Sequence, residues 1–246
     1  MPIGSNLKSS IVGSCQLCNR TGFACGKPCS CLIKFRAFNR LTSGGFSLKT
    51  LDLVTQSGYE IPQIASGESF VSYFADNPEK VEEQGLSLYI HSKGKGRGKT
   101  TLAQYLVYKA ATLFSHTENY STKRDYAFIN IEDLIKQERK NDNSMWTRTW
   151  LVIDDIGNED RSAPWKHAAV ISIMQQVMHY RRDRNLPTII TSNYEPVNLS
   201  TLYSGEIDSL LEIGSDGKIG GLVFREVEVG GGEDFRQIEE FSAWPI

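Results

Sequence analysis

Seven consecutive residues, Gly94-Lys-Gly-Arg-Gly-Lys-Thr100, separate an apolar run from a helical pattern, and their types suit a polyphosphate. Glycines let successive backbone N–H groups turn inward. The helix N-terminus that follows adds partial positive charge. Lys99 is then placed to reach the β- and γ-phosphates, and the Thr100 hydroxyl to ligate Mg²⁺. The expected nucleotide-binding set is Gly94, Lys95, Gly96, Arg97, Gly98, Lys99, Thr100 and Thr101, with Lys95 and Arg97 as extra cations toward phosphate. One position departs from G-x-x-x-x-G-K-[ST]: the first glycine belongs at 93, and this chain has Lys93.

Two carboxylates form the complement. Asp154 and Asp155 follow the apolar run Trp150-Leu-Val-Ile153, 55 residues after Lys99. Asp154 is expected to share the Mg²⁺ with Thr100. Asp155 is expected to orient or deprotonate the attacking water. Aspartate is one methylene shorter than glutamate, so water activation should be weak. Thr191-Ser-Asn193 closes a further apolar run, and the neutral amide of Asn193 suits positioning that water or sensing a γ-phosphate.

All five cysteines, Cys15, Cys18, Cys25, Cys29 and Cys31, fall within 17 residues. The odd count and the lack of any secretory leader argue against disulfides. The close pairs Cys15-x-x-Cys18 and Cys29-x-Cys31 fit a tetrahedral structural Zn²⁺ site, since so short a segment has little else to fold it. Cys25 is either a replacement for Cys29 or Cys31, or spare.

These residues need elements to hold them. Leu86–His91, Tyr126–Ile129, Trp150–Asp154, Thr188–Asn193 and Leu222–Val229 read as strands. Helices are expected from Glu68 to a break at Pro78, over 102–113, over 131–140, and around Val170–Val177 with Ser162 and Pro164 near its start. Alternating strands and helices predict a parallel sheet with helices on both faces and ligands beyond the strands' carboxyl ends. Composition divides the chain into a cysteine-bearing arm (1–45), a linker (46–66) and an α/β domain (67–246), the Ser, Gly and Thr that read as linker with room for one short helix beginning at 41. No lid domain is expected after residue 229.

With 27 basic and 29 acidic residues, bulk charge does not hold this chain on nucleic acid, and any such contact must be local. Arg181, Arg182 and Arg184 beside Tyr180 are one candidate. Lys34, Arg36 and Arg40 around Phe35 and Phe38 are another, which reads equally as a helix docking on a protein. No apolar run is long enough for a membrane span.

Taken together, the segment Cys-x-x-Cys…Thr-Gly-Phe…Pro-Cys-x-Cys, the loop Gly98-Lys-Thr100, the acidic Leu151-Val-Ile-Asp-Asp-Ile-Gly157 and Pro187-Thr-Ile-Ile-Thr-Ser-Asn193 resemble the DnaC/DnaI-type helicase loaders, a branch of the AAA+ ATPases, in a phage or prophage version. The resemblance implies a P-loop AAA+ parallel sheet flanked by helices, with a small N-terminal zinc-binding domain. It implies ATP, Mg²⁺ and structural Zn²⁺ as cofactors, and a weak ATPase with Walker A, Walker B and sensor-1 elements. The implied partners are a DnaB-type replicative helicase and single-stranded DNA in the bacterial cytoplasm, with a homo-oligomer on the helicase ring as a possibility. The family's arginine finger precedes the last strand. Here residues 204–221 hold no arginine, and Arg225 is the nearest substitute. The rival readings are an IstB-like transposition helper, which would bind duplex DNA and a transposase, a small-molecule kinase, and a regulatory module that binds ATP without hydrolysing it.

Overall fold

The computed structural model describes residues 11–55, 59–117, 124–140, 142–159 and 164–230. In chain order a hairpin, β1 (Phe23–Ala24) and β2 (Lys27–Pro28), leads to helices α1 (Ser30–Ser43) and α2 (Leu48–Val54). Strand β3 (Ile64–Ser66) and helices α3 (Glu68–Asp76) and α4 (Pro78–Gln84) follow. Alternation then sets in: β4 (Ser87–His91), α5 (Lys99–Thr117), β5 (Tyr126–Asn130), α6 (Ile131–Glu138), β6 (Trp150–Ile156), α7 (Pro164–Arg182) and β7 (Thr188–Ser192). Two short helices, α8 (Pro196–Leu202) and α9 (Asp208–Leu211), precede β8 (Phe224–Val229).

Six strands form one sheet in the order β3-β8-β4-β7-β6-β5. All neighbours run parallel except β3, which pairs antiparallel with β8 at the edge. Side chains alternate between two cores, as the strand period of two requires. Leu88, Ile90, Val152 and Ile189 face α5, α1 and α2. Tyr89, Leu151, Ile153 and Ile190 face α6 and α7. Burial on both faces explains why these runs read as continuously apolar. The expected mixed α/β architecture, a mostly parallel sheet flanked by helices, is the one observed.

Topology fixes the place of chemistry. From β4, helix α5 carries the chain past β7 and β6 to β5 at the far edge. The chain then steps back through β6 to β7, beside β4. A crevice therefore opens over the carboxyl ends of β4, β7 and β6, where connections leave in opposite directions.

Two expectations from composition change. The stretch 46–66 is not a bare linker: Phe46, Leu51 and Val54 are buried, and Ile64–Ser66 pair with β8. Just before it, Gly44, one of the small residues that read as linker, serves close approach. A Cβ on Gly44 would sit 2.0 Å from the Tyr126 carbonyl oxygen, and Phe128 N donates to Gly44 O at 2.8 Å. In the same way, the basic-aromatic stretch 32–40 lies in α1, docked on its own chain. Ala37 and Phe38 are fully buried, and Phe38 meets Tyr108 edge-on at 5.9 Å. Phe38 is thus no platform for a base.

Arg181 is a further correction. Its guanidinium is buried, donating to Thr188 Oγ1 at 2.7 Å and to the carbonyls of Trp146, Arg148, Thr149 and Pro187 at 2.6–3.0 Å. It ties α7 to β7 and to the turn before β6 and has nothing left for DNA. Arg184 lies over the Tyr180 ring at 4.0 Å. Ser162 and the segment after residue 230, including the expected absence of a lid, lie outside the described residues. No helix among those described is long and apolar enough to cross a membrane.

Candidate functional site

Residues 92–98 join the end of β4 to the start of α5. Gly94, Gly96 and Gly98 have φ of +108°, +77° and +86°, a region that side chains rarely enter. The loop curls back over the first turn of α5, and Lys99 is left only 7% exposed. Its ammonium donates to Ser92 Oγ at 2.8 Å, to Gly94 O at 3.1 Å and to Asn193 Oδ1 at 2.8 Å. Lys93, at the departing position, turns away to pair with Glu195 at 2.9 Å and is largely exposed.

The acidic strand end is shaped by a feature that pattern alone does not give. Between Ile153 and Ile156 the pairing of β6 with β7 slips, and Asp155 takes φ +63°. This irregularity directs both neighbouring carboxylates to the crevice. Asp154 Oδ1 accepts the hydroxyls of Thr100 at 2.9 Å and Thr191 at 2.7 Å. Burial raises the Asp154 carboxyl above its ordinary range, against the downward pull of those two hydroxyls. Asp155 Oδ1 accepts Asn193 Nδ2, and its Oδ2 accepts Asn158 Nδ2, both at 2.8 Å. Asn193 therefore bridges Lys99 and Asp155.

These groups surround a cavity of about 350 Å³. Its lining includes Lys95, Gly96, Arg97, Gly98, Lys99, Thr100 and Thr101 from the loop, with Asp154, Asp155 and Asn193 from the strand ends. Gly94 shapes the loop without lining the space. An all-oxygen pair, the Thr100 hydroxyl and the Asp154 carboxylate, fits a hard divalent cation. The loop cations fit phosphate oxygens.

Sequence reading missed Ser92, Thr191 and Asn158. The strand period could have given Thr191, which lies two residues before Asn193 and so shares its face. Asn158 carries no such signal, because its position follows from the slipped register. Arg225 is not brought to the cavity. Its guanidinium donates to the carbonyls of Gly221 and Phe224 and lies 5.8 Å from the Phe70 ring.

A second cluster sits in the N-terminal segment. The Sγ atoms of Cys15, Cys18, Cys29 and Cys31 all lie within 4.8 Å of one another. Cys15 and Cys29 are 3.8 Å apart, and Cys18 and Cys31 3.5 Å. Thiolates about 2.3 Å from a tetrahedral zinc have sulfur–sulfur edges of about 3.8 Å, so this donor set fits Zn²⁺. The Gly22 N–H donates to Cys18 Sγ at 3.2 Å. Burial raises the Cys18 pKa, but that N–H and the neighbouring sulfurs outweigh it and leave it lowered to about 7, favouring the ligating thiolate. Cys25 stands exposed in the β1–β2 turn, outside the cluster.

No protein-family profile matches the chain, and no curated protein matches it in sequence. Solved structures do match. A DnaI structure aligns with TM-score 0.51 and 16% identity over 75% of this chain and 93% of its own. The DnaC helicase loader aligns with TM-score 0.49 and 19% identity over 75% of this chain and 100% of its own. AMPPCP-bound DnaA from Aquifex aeolicus aligns with TM-score 0.46 and 14% identity over 70% of this chain and 49% of its own. The chain shares the fold of the DnaI structure.

Proposed function

We propose that this chain is an ATP-dependent helicase loader, a replication-initiation AAA+ protein that grips a DnaB-type replicative helicase and helps place it on single-stranded DNA. One observation carries the nucleotide half: Lys99, Asn193 and Asp155 form a hydrogen-bonded line across three strand ends, with Thr100 and Asp154 alongside. The helicase half rests on the resemblance of the motifs and on the fold shared with DnaI.

On this reading the loop N–H groups and Lys99 bind the β- and γ-phosphates. Thr100 and Asp154 hold Mg²⁺, which neutralises charge on those phosphates. Asp155 accepts a proton from the attacking water, and Asn193, already poised between Lys99 and Asp155, reports the γ-phosphate. Turnover is slow, because Asp155 is a short carboxylate that two amide N–H groups hold in place, away from the reach a glutamate would have toward an attacking water. That same pairing favours a second reading, a module that binds ATP and hydrolyses little of it.

The proposed division of labour keeps residues 1–45 as the arm, 46–66 between, and 67–246 as the motor, although α1 and α2 share the motor's core. Zn²⁺ at Cys15, Cys18, Cys29 and Cys31 shapes the arm's partner-facing part. Copies of the chain assemble on the helicase ring in the bacterial cytoplasm. Of the surfaces offered for DNA, Lys34 and Arg36 on α1 keep partial exposure, whereas Arg181 has none.

A tagged pull-down from bacterial lysate tests this directly. The expected result is recovery of a replicative helicase, with strand loading lost in Lys99→Ala. Recovery of a transposase in its place would overturn the loader reading.

A further inference from the structure

Phosphoryl transfer spreads negative charge over the γ-phosphoryl oxygens, and many ATPases meet it with an arginine from a neighbouring subunit. In this chain residues 204–221 supply none. Arg225 is bound to its own backbone, and its partner on β4 is Leu88, toward the end of that strand farthest from the phosphate loop. The loop itself carries a substitute. Lys95 and Arg97 line the cavity beside Lys99. Lys95 is exposed and Arg97 half-buried, and neither makes a hydrogen bond or ion pair with another described residue. The neighbouring Lys93 is paired with Glu195, and Arg181 is held by oxygens on every side. Lys95, Arg97 and Lys99 face Asp154 and Asp155 across the cavity, which leaves an excess of one positive charge. Such an excess suits a polyanion.

We propose that Arg97 serves in cis as the cation that stabilises the transition state, so that hydrolysis is completed within one chain. The proposal rests on the ATP reading above. In the step, a water oxygen bonds to the γ-phosphorus while the bond from that phosphorus to the β,γ-bridging oxygen breaks. The bridging oxygen leaves with the electron pair as part of ADP. The water's proton passes to Asp155 and then to solvent. Arg97, two residues before Lys99, offers a planar fork of N–H donors to the γ-phosphoryl oxygens, where a lysine offers only a point charge.

ADP with aluminium fluoride is the probe, because it mimics the planar γ-phosphoryl group without turnover. It is titrated into the zinc-replete full chain and into Arg97→Ala and Arg97→Lys, with molecular mass followed by light scattering and folding by circular dichroism. The wild-type chain is expected to capture the complex as a monomer. Arg97→Ala should bind it roughly 100-fold more weakly while ADP affinity falls only a few-fold, and kcat should drop on the order of 10³-fold. Arg97→Lys should lie between. Capture only by higher-order species, or equal capture by Arg97→Ala with ADP still bound, would overturn the cis cation and leave the nucleotide reading standing. A folded wild-type chain that binds no ADP would overturn both.

Discussion

Replacing Arg181 by leucine is expected to destabilise the protein by about 3–5 kcal/mol, a large part of the total stability of an ordinary domain. The guanidinium is buried among five neutral oxygens drawn from α7's own neighbourhood, β7 and the turn before β6. Leucine fills the space but takes the donor from the Trp146, Arg148 and Thr149 carbonyls, while Pro187 O keeps the Leu151 N–H at 3.3 Å, and an unpaired buried acceptor costs more than a mere lost bond. Burial pulls the Arg181 pKa down, as expected for a charge kept from water without a carboxylate beside it. Lysine should rescue only part, because a compact ammonium cannot span a fork of acceptors. Urea denaturation followed by circular dichroism reads the effect. Arg184→Ala, on the surface over Tyr180, should stay within about 0.5 kcal/mol and serves as the control. A small change in Arg181→Leu, together with a large loss of DNA affinity, would contradict the structural role assigned here.

Removal of zinc should have the second large effect, confined to the N-terminal segment. The cluster of Val12, Cys18, Cys29, Cys31 and Leu32 is too small to fold that segment alone. Zinc binding then is folding, with an apparent free energy of about 10–16 kcal/mol near neutral pH. Elemental analysis is expected to find one zinc per chain. Cys15→Ser and Cys31→Ser should lose the metal and partner binding together, whereas Cys25→Ser should keep both. Protons compete with zinc for the thiolates, so affinity falls as pH falls. The sheet domain should survive chelation, since α1, although its first turn carries the ligand Cys31, also packs into the sheet core through Ala37, Phe38 and Leu41. Full zinc content in Cys31→Ser, or global unfolding on chelation, would contradict this account.

What could be read from the sequence follows its physics. Runs such as Trp150–Ile153 announce buried strands because both faces are covered, and the glycine-lysine loop announces a phosphate cradle because few other segments need φ above zero at alternate positions. In the structure Lys99, Thr100, Asp154, Asp155 and Asn193 line one cavity. Position-specific events were not legible. The slip at Asp155 depends on pairing with β7, and β3 depends on an edge that three residues cannot advertise. Gly44 stands in linker-like composition, yet it packs against β5. Arg181 read as a candidate nucleic-acid contact because charge is usually solvated, and its burial depends on carbonyls from a turn more than thirty residues away.

Calorimetric titration of magnesium-ATP into folded, zinc-replete protein tests the central claim most directly. The wild-type chain should bind one nucleotide. Lys99→Ala removes an ammonium whose charge-assisted hydrogen bonds are worth roughly 3 kcal/mol, so it should bind roughly 100-fold more weakly. Asp154→Asn should lose the magnesium dependence. No detectable affinity in the wild-type chain, or equal affinity in Lys99→Ala, would contradict the account.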